Sequence, residues 1–321
     1  MKYSYYPGCS QERNALSYHL SSVAVTDTLG VELEELEDWN CCGATEYFSL
    51  NALPAYAMVS RNLALAAPKN GGVTELVAPC SLCYINLSKT DHYMAQSQVL
   101  NDQVNASLAA GGLSYKPGSV KPRHLLDVLV NDVGYDAITA KVTKPLSGLR
   151  VAPYYGCLIV RPMYENAFDN PEYPVTLDKI LKAAGAEVVD FPAKAHCCGG
   201  HMTQISENVA YDLIHRLIKS AADADADVIA TVCPMCQLNL DVYQAPSNKY
   251  FKKDYHIPVL YFTQLIGLAF GIQPTKLGIG KEFIDARPAL SKIGVEVPVE
   301  EPTKRKAKKE GLPMPRMPEE G

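Results

Sequence analysis

The sequence predicts an α/β protein made of two duplicated α/β domains, each with a short parallel sheet and its cysteines at the C-terminal ends of strands. Three observations carry that expectation. Short β-prone runs alternate with helix-length runs through most of the 321 residues, which implies right-handed crossovers and parallel strands. The triplet Cys-Cys-Gly occurs twice, at Cys41-Cys42-Gly43 and Cys197-Cys198-Gly199. Each triplet follows a lone cysteine (Cys9 in YYPGC, Cys157 in YYGC) and precedes a Cys-x-x-Cys (Cys80 and Cys83, Cys233 and Cys236), so all ten cysteines fall into two sets of five.

Taken in order, Lys2 to Tyr6 is short, aromatic and β-prone, and it runs into Pro7-Gly8 and Cys9. Leu16, Leu20, Val23 and Leu29 approximate one helical face, closed by Gly30. Val31 to Glu37 is a second strand leading to Cys41-Cys42, and Thr45 to Ala67 is alanine-rich and helical. Thr74 to Ala78 is a strand into Pro79-Cys80, and the helix that follows runs to about Met94. A polar stretch then reads as loop. Val120 to Leu126 is a fourth strand, with Asp127 as cap of a short helix ending at Gly134.

The second half repeats this plan. Leu149 to Tyr155 is a strand into Cys157, Val175 to Ala184 a helix stopped by Gly185, and Ala186 to Phe191 the strand before Cys197. Met202 to Ala222 is helical, Asp227 to Val232 a strand into Cys233, and Pro258 to Phe262 matches Val120 to Leu126. In this alignment Thr263 stands for Asp127 and Gly271 for Gly134. The spacing between corresponding cysteines drifts, which places insertions in loops. The expected domains are 1–145 and 146–273, followed by an extension over 274–321 that ends in a basic, proline-rich tail with Lys304-Arg305-Lys306 and Lys308-Lys309. That composition suits a disordered segment.

The formal charge of −5 implies no nucleic-acid surface. No signal peptide is expected at the N-terminus, and the longest apolar stretch, Ile257 to Ile272, is too short to span a bilayer. The expected location is cytoplasmic, where thiols stay reduced and ten cysteines favour metal over disulfides. Zinc wants four ligands in a tetrahedron, and a cubane iron–sulfur cluster also uses four cysteines. Five in each copy exceeds both. Zinc in one copy and thioredoxin-like chemistry at a Cys-x-x-Cys remain as alternatives, although the latter leaves the doublets unexplained.

The doubled pattern of one cysteine, then Cys-Cys-Gly, then Cys-x-x-Cys resembles the CCG-domain family, typified by the B subunit of heterodisulfide reductase, from Tyr3 to about Gly271. That resemblance implies two noncubane [4Fe-4S] clusters, one held by Cys9, Cys41, Cys42, Cys80 and Cys83 and the other by Cys157, Cys197, Cys198, Cys233 and Cys236. It implies an oxidoreductase subunit that reduces a disulfide, or oxidises thiols in reverse, between the two clusters. It also implies a ferredoxin-like C subunit and a flavin-bearing A subunit as partners, in a methanogenic enzyme or a bacterial sulfur-oxidising complex. The CCGATEYFS stretch leans toward the bacterial branch. The alternative is an electron-relay or anchoring subunit of a respiratory complex such as a succinate dehydrogenase. Small polar or basic anchors between Cys9 and Cys157 fit the enzyme; tightly packed apolar residues there fit the relay.

His196 and His201 flank the second doublet and are candidates for proton donation or cluster tuning. Tyr6 and Tyr155 precede the lone cysteines and are candidates for substrate contact or core aromatics. His19, His92, His124, His215 and His256 read as structural or surface. Gly278-Ile279-Gly280-Lys281 echoes a phosphate loop without its spacing.

Overall fold

The computed structural model describes residues 1–68, 71–164 and 168–298. The basic tail expected after Pro298 lies outside the described residues. The first half runs β1 (Lys2–Tyr5), α1 (Leu16–Thr28), β2 (Glu32–Glu35), α2 (Glu46–Leu50), α3 (Ala52–Ala66) and β3 (Thr74–Ala78). It continues through α4 (Ser81–Gln96), α5 (Gln98–Ala109), β4 (Val120–His124), α6 (Leu125–Asp127), a π-turn at Val128–Val133, and α7 (Tyr135–Lys141). The second half runs β5 (Arg150–Tyr154), α8 (Thr176–Ala183), β6 (Glu187–Val188), α9 (Met202–Ile205), α10 (Glu207–Asp223) and β7 (Val228–Thr231). It ends with α11 (Pro234–Val242), α12 (Gln244–Phe251), β8 (Val259–Tyr261) and α13 (Phe262–Ala269), before an extension with α14 (Arg287–Leu290) between two 3-10 turns.

Each half is a four-stranded, all-parallel sheet, in the orders β2-β1-β3-β4 and β6-β5-β7-β8. In both orders the chain reverses its direction of travel across the sheet at the first strand. Three adjacent strands therefore deliver cysteines to one edge, at the switch point where open α/β sheets bind ligands. The halves interlock: α1 packs on α13, while α8 packs on α7 and α13. One apolar core accordingly draws Tyr18, Val25 and Leu129 from the first half and Leu181, Leu260 and Ile266 from the second.

Several expectations need correction. The stretch read as polar loop contains α5. Ser97 caps it through Oγ, and Val104 and Leu108 bury one side of an otherwise polar helix. The helices expected over Thr45–Ala67 and Met202–Ala222 each break, at Asn51 and Ser206, whose backbones are extended. The strand expected over Ala186–Phe191 shrinks to two residues because Pro153 in β5 has no N–H with which to continue the ladder. Asp127 is not the cap before the π-turn. It is drawn to Arg123 Nε at 2.6 Å, and His124 Nδ1 takes the Leu126 N–H instead. Since His124 pairs with Ala78 as Tyr261 pairs with Thr231, Thr263 corresponds to Leu126 rather than Asp127.

Candidate metal centre at the junction of the two sheets

The lone cysteines sit on turns that only glycine can make close enough. Gly8 and Gly156 have φ of +76° and +69°, and a Cβ on either would come within 2.8 Å of Cys83 Sγ or 2.9 Å of Cys236 Sγ. Above each lone cysteine a tyrosine ties the turn to the doublet: Tyr6 donates to the Asn40 carbonyl at 2.7 Å, Tyr154 to the His196 carbonyl at 2.8 Å. Tyr6 therefore corresponds to Tyr154, not to Tyr155. Neither sequence candidate offers a free hydroxyl. The Tyr155 oxygen takes the Leu177 and Asp178 N–H groups at the start of α8 and donates to the Asp178 carboxylate.

The doublets are held by residues that carry no mark in the sequence. Asn86 Nδ2 donates to the Cys42 and Ala44 carbonyls, and Asn239 Nδ2 to those of Cys198 and Gly200. Both asparagines stand three residues after the second cysteine of the Cys-x-x-Cys, one helical turn on, and that repetition is the signal that could have found them. The amides of Gly43 and Gly199 point at Cys41 Sγ and Cys197 Sγ, each at 3.4 Å.

The ten thiols form a chain of contacts. Cys9 and Cys41 sulfurs lie 3.5 Å apart, and Cys42 and Cys83 sulfurs 3.4 Å apart. Cys157 interacts electrostatically with Cys197, Cys198 with Cys236, and Cys80 with Cys233 across the junction, which makes the two sets neighbours. Two thiolates sharing one tetrahedral ion with bonds of about 2.3 Å would lie about 3.8 Å apart. The pairs need to part by only a few tenths of an ångström to meet that geometry. As they stand, no group of three or more His, Cys, Asp or Glu among the described residues is placed to hold a metal ion.

Charge makes the same point. Cys41 is pulled far down by hydrogen bonds from Cys42 and Cys9, Cys197 to about 6 by Cys157, and Cys233 well down by Cys236 and Cys80. Cys9, Cys80, Cys83, Cys157 and Cys236 are pushed up in exchange, chiefly by hydrogen bonding with the neighbouring cysteine sulfurs. Most of these sulfurs are buried, so the set becomes fully anionic only with cations among it. A cationic iron core fits this donor set.

His201 reaches across the junction, its Nδ1 against the Glu46 carboxylate and 3.0 Å from Thr45 Oγ1. His196 is exposed, and among the described residues its imidazole has no partner. Of the other histidines, His124 is fully buried at the junction. Since Nδ1 accepts from Leu126, Nε2 carries the proton and donates to the Val232 carbonyl at 3.3 Å. Tyr18, stacked on Tyr261 with ring centroids 4.2 Å apart, donates to the carbonyls of Pro79 and Val232. These carbonyls immediately precede Cys80 and Cys233, so one buried polar cluster fixes both Cys-x-x-Cys turns relative to each other. In the Gly278–Lys281 segment the Gly280 amide donates to Glu282, a carboxylate where a phosphate loop would need an open anion site.

Burial pushes the His124 pKa down to about 4, whereas the unfolded chain protonates near 6.5. The stability it leaves intact above pH 6.5 is therefore lost as pH falls toward 4, by roughly 3 kcal/mol in all. Thermal melts between those pH values should show this slope, and His124→Gln should flatten it.

Within the second set, on the side facing the first half, lies a cavity of about 50 Å³, lined almost entirely by apolar and sulfur atoms. Leu82, Leu158, Met235 and the second set's cysteines form it, with Thr45, Ser81 and His201 at its border and no lysine or arginine.

This fold and cysteine arrangement define a class. The CCG family, described as a cysteine-rich domain, matches residues 3–88 and 151–241, and the chain belongs to it. The chain is 36% identical over 285 residues to the 8-methylmenaquinol:fumarate reductase membrane anchor subunit of Wolinella succinogenes, an alignment covering 89% of this chain and 98% of that one. It is 30% identical, over 91% of its length and 97% of the relative's, to the B subunit of the ferredoxin/F(420)H(2)-dependent CoB-CoM heterodisulfide reductase of Methanosarcina acetivorans. These relatives are subunits of oxidoreductase complexes. A crystal structure of a hypothetical protein from Helicobacter pylori shares the fold, with TM-score 0.69 at 14% identity, covering 88% of this chain and 52% of that one. Among the described residues, no helix is long and apolar enough to cross a membrane.

Proposed function

We propose that this chain is the iron–sulfur electron-relay subunit of a quinol- or fumarate-linked oxidoreductase complex, holding one cluster in each cysteine set. The observation that carries this reading is the apolar surround of the second set where it faces the first half: Leu82, Leu158 and Met235 line it, with no lysine or arginine. That lining offers no cationic group to anchor a charged disulfide substrate. The 36% identity to a fumarate reductase anchor subunit supports the same choice. Each cluster, when bound, supplies one-electron chemistry. The chain's own residues keep the site dry through Leu82, Leu158 and Met235, orient the thiolates through Asn86 and Asn239, and bring the sets together at Cys80 and Cys233. The quinone or fumarate chemistry belongs to partner subunits.

Disulfide reduction, with His201 as proton donor, is the second reading, favoured by the proximity of Cys80 to Cys233 and by His201 at the cavity border. A mixing experiment separates them. The anaerobically loaded, reduced protein is expected to pass electrons to a one-electron redox dye and to leave small disulfides intact. Stoichiometric thiol release from a disulfide would favour the second reading and overturn the first.

A further inference from the structure

The two cysteine sets are matched sulfur for sulfur, yet their surroundings differ at Gln11, a buried amide. Gln11 follows Cys9 by two residues and is 1% exposed. Its Oε1 accepts from the Tyr5 hydroxyl at 2.9 Å, and that hydroxyl also meets His19 Nδ1 at 3.2 Å. With Nδ1–H as donor, the bonds run His19 to Tyr5 to Gln11 in one direction, which polarises the amide at its end. The amide nitrogen, Nε2, is buried and has no acceptor. Leaving such a donor unpaired costs about 1–3 kcal/mol, and a buried orphan of this kind calls for a partner absent from the polypeptide.

The neighbourhood identifies that partner. The Gln11 backbone N–H donates to the Gly8 carbonyl, and Gly8 lies against Cys83 Sγ. The orphan amide thus sits on the turn that carries Cys9, whose Gly8 lies against Cys83. In the second set the equivalent position, two residues after Cys157, is Ile159, buried and without a donor.

We propose that Gln11 Nε2 donates a hydrogen bond to a sulfur of the cluster in the first set, and that this makes the first cluster easier to reduce than the second. The claim rests on the iron–sulfur reading above. The reason is electrostatic: an N–H donor stabilises the more negative, reduced state and raises the potential. Lys89 adds to the same asymmetry. Its ammonium lies 3.2 Å from the centroid of the Phe48 ring and within the field of Cys42, with no carboxylate partner among the described residues. Its counterpart, six residues after Cys236, is Val242. An electron on this subunit therefore rests in the first half.

Redox titration of the anaerobically loaded protein, followed by EPR, is expected to show two waves at separate potentials. Gln11→Leu should lower the first wave so that its reduced-to-oxidised ratio falls about tenfold at fixed potential, a shift of ~59 mV for a one-electron couple, with iron content unchanged. Ile159→Gln should move the other wave upward. The wild-type protein gives a test that needs no variant: pulsed EPR on protein labelled with 15N at the glutamine side chain should show a nitrogen coupling at the first-reduced cluster. A single shared wave, a Gln11→Leu protein with full iron and unmoved potentials, or no glutamine nitrogen coupling would overturn the proposal. Wild-type protein that takes up no iron would instead overturn the iron–sulfur reading on which it rests.

Discussion

The Cys42→Ser protein should bind about half the iron of the wild type, and Cys198→Ser should lose the complementary half. Each set closes on itself through its own contacts, Cys9 to Cys41 and Cys42 to Cys83 in the first. Removing one ligand therefore unseats one cluster and leaves the other set's five sulfurs in place. With about four irons expected per set of cysteines, the loss is large enough to read by simple iron assay. Separate optical and EPR spectra of the two single-cluster proteins would then assign each signal to its half. Loss of all iron from either variant would mean that the sets assemble as one unit through Cys80 and Cys233.

Gly8→Ala and Gly156→Ala should each empty one set while leaving every cysteine present. An L-residue at these left-handed φ values costs about 1–2 kcal/mol. The added methyl also lands within 3 Å of a ligand sulfur, Cys83 or Cys236, so relief comes only by moving a ligand. Gly200→Ala is the control. Gly200 also has positive φ, +51°, but a Cβ there meets open space, and the equivalent residue in the first half is already Ala44 with the same φ. Iron assays should show loss for the first two variants and retention for the third.

The cysteine pattern was legible because ligand chemistry is written locally: ten thiols in two matched sets, each at a strand end. The parallel sheets followed from alternation of strands and helices. What stayed hidden depends on tertiary context. Asn86 and Asn239 carry no chemical flag, and only their repeated position marks them. The choice of Tyr154 over Tyr155 as the partner of Tyr6 turns on counting back from the lone cysteine, since Pro7 stands where Tyr155 stands and both Tyr6 and Tyr154 lie three residues before the thiol. His124 looks like any surface histidine in sequence, and its burial arises from the second half closing over β4. Helix α5 escapes a reading by periodicity because its apolar side is narrow, with Val104 and Leu108 as its buried residues.

Iron and acid-labile sulfide per chain, measured on anaerobically purified wild-type protein, tests the central claim most directly. Two five-cysteine sites predict about eight irons with sulfide in similar amount. Stoichiometric zinc with neither iron nor sulfide would contradict it.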